Sequence, residues 1–64
     1  MSLDQRLRHW YRTRNLDDLK AVVVFMRFRM FWNYDQSFRR AKAAIPDLTL
    51  DEWDRCLREI DDVE

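Results

Sequence analysis

The stretch from Asn15 to Trp32, NLDDLKAVVVFMRFRMFW, constrains this chain more than any other. Asn15 followed by Asp18 is an Asn version of the capping box that starts a helix. On that helix Leu16, Leu19, Val23, Met26 and Met30 form one apolar stripe at 3-4-3-4 spacing. Ala21, Phe25, Phe28 and Trp32 form a second stripe on the opposite side, at 4-3-4 spacing. Thin polar seams divide them, Lys20 with Arg27 on one flank and Asp18 with Arg29 on the other. A helix apolar on two opposed faces is expected to be packed on both, by its own chain or by a partner.

A strand reading competes for the same residues. Met26-Arg27-Phe28-Arg29-Met30 alternates with period two, and Val22-Val23-Val24 is rich in β-branched side chains. Three features favour the helix: the start signal at Asn15, the lack of glycine, and the absence of a second strand-like run to pair with.

Three further capping signals divide the rest of the chain. Ser2 with Gln5 opens a helix to about Thr13, with Leu3, Leu7 and Trp10 inward and Gln5, Arg8 and Arg12 outward. Asn33 with Gln36 opens another, so the helix before it must end or bend near Trp32. Tyr34, Phe38, Ala41 and Ile45 face inward there, Gln36, Arg39, Arg40 and Ala43 outward, and Pro46 ends it. Thr49 with Glu52 opens the last, where Leu48 and Trp53 hold the positions of a hydrophobic staple. Its buried stripe reads Leu50, Trp53, Leu57 and Ile60, with Asp51–Arg55 and Asp54–Arg58 as solvent-facing pairs. The tail Asp61-Asp62-Val63-Glu64 sets negative charge at a helix C-terminus and is expected to fray. The expectation is one all-α domain, 1–64, of four helices at about 3–13, 16–32, 34–45 and 50–62.

Size and charge narrow the functional classes. A 64-residue chain buries only about 60% of its unfolded surface. Its three Trp, two Tyr and four Phe are therefore more apolar bulk than so small a body hides, which points to self-association, as a homodimer, or to a protein partner. One cysteine allows no internal disulfide. The longest apolar run, Ala21 to Met26, is too short for a membrane span, and Arg6, Arg8 and Arg12 interrupt any signal-peptide pattern, so cytoplasmic residence without membrane contact is expected. Net charge is zero, but residues 1–45 hold ten basic and four acidic side chains, whereas residues 46–64 hold two basic and eight acidic. Either the acidic last helix folds back on a basic body, or one face awaits a charged partner.

Catalysis finds little support. His9 stands alone as a histidine on a helix face, and Cys56 falls on the apolar side of the last helix, as a small buried hydrophobe does. Ser2 and Ser37 sit at helix starts, where hydroxyls cap. The adjacent carboxylates of Asp17-Asp18 and Asp61-Asp62 point to different faces, and no glycine is present to build a phosphate loop. No cofactor, metal or small-molecule substrate is expected, and the chain is read as a non-enzyme.

Nucleic acid is the second candidate partner. Gln36, Arg39, Arg40 and Lys42 present the chemistry that a recognition helix offers to base edges, and Arg6, Arg8, Arg12 and Arg14 could add phosphate contacts. Arg39-Arg40-Ala41-Lys42 resembles a run in homeodomain recognition helices, though Asp35 and Phe38 stand where that family places Trp and Asn. Arg6-Leu7-Arg8, Leu16-Asp17-Asp18-Leu19 and Ile45-Pro46 followed by Trp53 resemble the pattern of small four-helix modulators that bind nucleoid-associated proteins. There the spacing of the first two motifs differs, and residues 21–42 match nothing distinctive. Neither resemblance assigns a family. The functional expectation is a small regulator, adaptor or inhibitor of a larger protein, bacterial or phage in character, binding through Phe25, Phe28, Arg29 and Trp32. A nucleic-acid-binding transcriptional regulator using the basic third helix is the alternative.

Overall fold

Each of the four capping signals opens a helix. The computed structural model describes residues 2–63, and the side chains among them up to Asp61. α1 runs Leu3–Thr13, α2 Leu16–Val24, α3 Tyr34–Ala44 and α4 Leu50–Val63, with no strand among the described residues. α2 does not stop at Val24 but widens into a π-helical turn, Phe25–Arg29, three residues short of the expected end. The fraying expected of the tail Asp61-Asp62-Val63-Glu64 falls, beyond Asp61, on residues whose side chains lie outside the described ones.

Two of the caps are complete boxes. Ser2 Oγ accepts from Gln5 N while Gln5 Oε1 accepts from Ser2 N. Asn33 and Gln36 repeat this at the start of α3. At α2 the box opens: Asn15 Oδ1 accepts from Asp17 N at 2.8 Å, and the Asp18 carboxylate reaches His9 Nδ1 on α1, also at 2.8 Å. At α4 Thr49 Oγ1 accepts from Glu52 N at 3.2 Å, while the Glu52 carboxylate pairs with Arg14. His9, a plain surface residue by sequence, is thus a half-buried tie between α1 and α2.

The core lies where α1, α2 and α4 meet. Leu7 and Trp10 come from α1, Leu19, Val22 and Val23 from α2, Met26 from the π turn, and Trp53, Leu57 and Ile60 from α4. α3 and the loop after it close the open side with Ala41, Ile45 and Leu48. Burying an aliphatic or aromatic side chain of this kind contributes about 1.5–3 kcal/mol over leaving it in water. Leu48 and Trp53 are both fully buried, as a staple requires. Lys42 Nζ secures the chain between them and α3 by donating to Pro46 O at 3.1 Å and Leu48 O at 2.9 Å.

Three expected burials fail and one residue expected outward, Trp32, turns inward, each for a local reason. Met30 is exposed because the π turn adds a residue to its turn and rotates the chain beyond it off the buried stripe. Trp32 leaves the outward stripe because the chain has already turned; it packs half-buried against the core. Leu50 is 51% exposed, since the staple gives the buried place at the start of α4 to Leu48, outside the helix. Tyr34 also faces solvent, its hydroxyl donating to Asp54 Oδ1 at 3.2 Å, and the small Ser37 takes the buried place on α3. Partial desolvation, then that hydrogen bond, raises the Tyr34 pKa above its ordinary value.

Trp53→Ala removes the staple and the largest residue of α4, and is expected to cost about 3–5 kcal/mol. Leu50→Ala should stay within about 0.5 kcal/mol of the parent. Urea titration of both variants measures this; equal losses would overturn the assignment of Leu48 and Trp53, rather than Leu50, to the core.

Candidate functional site

The residues nominated from the second stripe of α2 separate into two groups. Phe25 and Phe28 point into solvent, 40% and 71% exposed, with Arg29 exposed beside them. Trp32 does not join them. The π turn closes with Met30 N–H donating to Phe25 O at 3.1 Å, a residue wider than the α-helical bond, and Trp32 N–H then reaches back to Met26 O at 2.9 Å. Between these two bonds Phe31 adopts φ 58°, in the left-handed region. There a residue other than Gly or Asn meets a steric cost of roughly 1–2 kcal/mol. The reversal leaves Phe31 83% exposed, next in sequence to exposed Met30.

The aromatic surface therefore extends beyond the expected stripe. Val24, Phe25, Phe28, Met30 and Phe31 stand out from the end of α2, interleaved with Arg27 and Arg29. Sequence periodicity missed Phe31 because it carried the helix through that residue. The signal for it was present, since a complete capping box at Asn33 requires the chain to break just before.

Beside this surface runs an open groove of about 500 Å³ between α1 and α2. Leu3, Ala21, Val24 and Phe25 supply its apolar lining, and Arg6 and Arg29 its polar one. By sequence Arg6 is a candidate phosphate contact and nothing more. Its place opposite α2 depends on helix packing, which no local pattern encodes.

The candidate nucleic-acid residues are differently placed. Gln36 closes the α3 capping box, Arg39 pairs with Asp35 at 3.1 Å, Arg40 with Asp4 at 2.6 Å, and Lys42 holds the loop carbonyls. Each therefore has work within the chain. Arg14 likewise lies 4.3 Å over the Tyr11 ring and pairs with Glu52; burial opposes its charge, but Glu52 outweighs this and raises its pKa.

No helix among the described residues is long and apolar enough to cross a membrane. Compared with known protein families, curated proteins and solved structures, the chain matches none.

Cys56 is half-buried on α4, packed against the core. Burial, then the charge of Glu59, pushes its thiol pKa up, which lowers the thiolate fraction at neutral pH. Iodoacetamide should therefore alkylate Cys56 in the folded protein several-fold more slowly than it alkylates a free cysteine peptide. A rate equal to or above the peptide's, followed by mass spectrometry, would overturn this inert role.

Proposed function

We propose that this protein is a non-catalytic protein-binding module, a small regulator, adaptor or inhibitor of a larger protein, which docks through the aromatic end of α2. One observation carries the reading. Val24, Phe25, Phe28, Met30 and Phe31 stand exposed within eight successive residues, and among the described residues only Tyr34 and Leu50 add to the large exposed apolar side chains. A free surface of this kind attracts a partner, and aromatic residues beside arginine dominate the energetics of such contacts.

A second copy of the chain would meet an obstacle at this surface. A two-fold contact centred on Phe28 sets Arg27 and Arg29 near their own copies, a like-charge arrangement that weakens binding. The reading therefore favours a different protein over the homodimer. The nucleic-acid alternative has less behind it, because Gln36, Arg39, Arg40 and Lys42 already have partners in the chain.

Phe28→Asp tests the module. Its exposure predicts stability within about 0.5 kcal/mol of the parent. Crosslinking in a host lysate should recover partner proteins with the parent and lose them with the variant. Equal recovery by both overturns the reading. A parent that scatters light as a dimer at ~100 μM, and a variant that does not, returns self-association to first place. Retardation of duplex DNA at ~150 mM salt, lost in Arg39→Ala with Arg40→Ala, favours the nucleic-acid alternative.

A further inference from the structure

The groove between α1 and α2 is distinguished by its charge. Arg8, Arg14, Arg39, Arg40 and Arg58 each form an ion pair with a carboxylate of the chain. Arg6 and Arg29 form none among the described residues, and they stand one on each wall of the groove. Among the described residues the lining contains no carboxylate. By contrast, the groove at the junction of α1 and α4 balances Arg14 and Arg55 with Glu52 and Glu59. A third, lined by Gln5, Arg8, His9 and Arg12, is basic but has no apolar residue in its lining. Of these three grooves, the first alone joins an apolar floor to uncompensated positive charge on both sides.

Both walls are helices, whose backbone groups bond within themselves. An extended segment laid along them finds no row of free N–H and C=O groups to pair with, whereas a helix satisfies its own backbone. A helix also fills a concave channel with a ridge of apolar side chains, which a flat bilayer cannot do. Within this chain α4 has that character, acidic and amphipathic, but Trp53, Leu57 and Ile60 are already buried in the core.

We infer that the groove between α1 and α2 receives an acidic amphipathic helix of a partner protein, its apolar ridge on Leu3, Ala21, Val24 and Phe25 and a carboxylate on each flank meeting Arg6 and Arg29. This rests on the protein-binding reading and names the partner's chemistry. Paired guanidinium–carboxylate bonds at the two rims fix the orientation of the incoming helix, and the apolar floor supplies the affinity.

A phage-displayed library of amphipathic helical peptides tests it, with leucine on the apolar face and the flanking positions randomised among Glu, Gln and Lys. Selection on the intact protein should enrich Glu on both flanks. The selected peptide, followed by fluorescence anisotropy, should bind Arg6→Glu with Arg29→Glu about tenfold more weakly or worse. Its Lys-flanked counterpart should prefer that variant. Circular dichroism verifies the fold, and Arg6→Gln with Arg29→Gln provides a neutral second variant. Selection without flank preference, or a Glu-flanked peptide indifferent to both arginine variants, overturns the groove assignment. If such peptides still depend on Phe28, the module itself stands. If no peptide is selected while the protein sediments with phosphatidylserine vesicles, the surface binds membrane and both readings fall.

Discussion

Two indole rings meet edge to face at the centre of this fold, Trp10 and Trp53, 5.8 Å apart between centroids at 76°. Both are fully buried, and each is the largest residue its helix places in the core. Trp10 is set by the last turns of α1, Trp53 by the first turn of α4, so the contact joins two helices far apart in sequence. Arg14, in the left-handed region at φ 60°, ends α1 and lays its guanidinium 5.8 Å from the centre of the Trp10 ring. Its pair with Glu52 then fastens the same junction from outside. Neither indole Nε1 has a protein acceptor among the described residues, and leaving such a group unpaired costs about 1–3 kcal/mol. The large area that the two rings bury offsets that cost.

The caps show how local signals become tertiary ones. Where the third helical residue is a neutral glutamine, Gln5 or Gln36, the box closes on itself. Where it is a carboxylate, Asp18 or Glu52, the side chain crosses to a basic residue of α1 or its end, His9 or Arg14. A carboxylate is a stronger acceptor than a neutral amide oxygen and so holds a side-chain N–H of a neighbouring helix. The two boxes that open therefore bind α2 and α4 to α1. Charge asymmetry along the chain obeys the same logic only in part, since Arg58 pairs with Asp54 within α4, at 3.0 Å.

Helix starts were legible because a cap is chemistry contained in four residues. Starts at Leu3, Leu16, Tyr34 and Leu50 fall where Ser2, Asn15, Asn33 and Thr49 place them. The end of α2 was not legible. A π turn violates the 3.6-residue period on which stripe counting rests, so Met30 and Trp32 each fall on the side opposite to the one that counting gives. The same limit divides the candidate site. Phe25, Phe28 and Arg29 belong to the second stripe before the turn, whereas Phe31 depends on the reversal after it. Arg6 and the Arg40–Asp4 pair depend on how helices pack, and no spacing within either segment contains that information.

The exposed end of α2 also bears on how long such a protein survives. A small helical body is stable by a few kcal/mol, and any ligand that binds only the folded form adds RT ln(1 + [L]/Kd) to that margin. At a hundredfold excess over Kd the addition is about 2.7 kcal/mol, comparable with what a domain of this size holds alone. Proteases act on the unfolded fraction. On the proposed reading, a partner that covers Phe28 and Phe31 would tie the lifetime of this chain to its own supply, so that abundance of one becomes a gauge of the other.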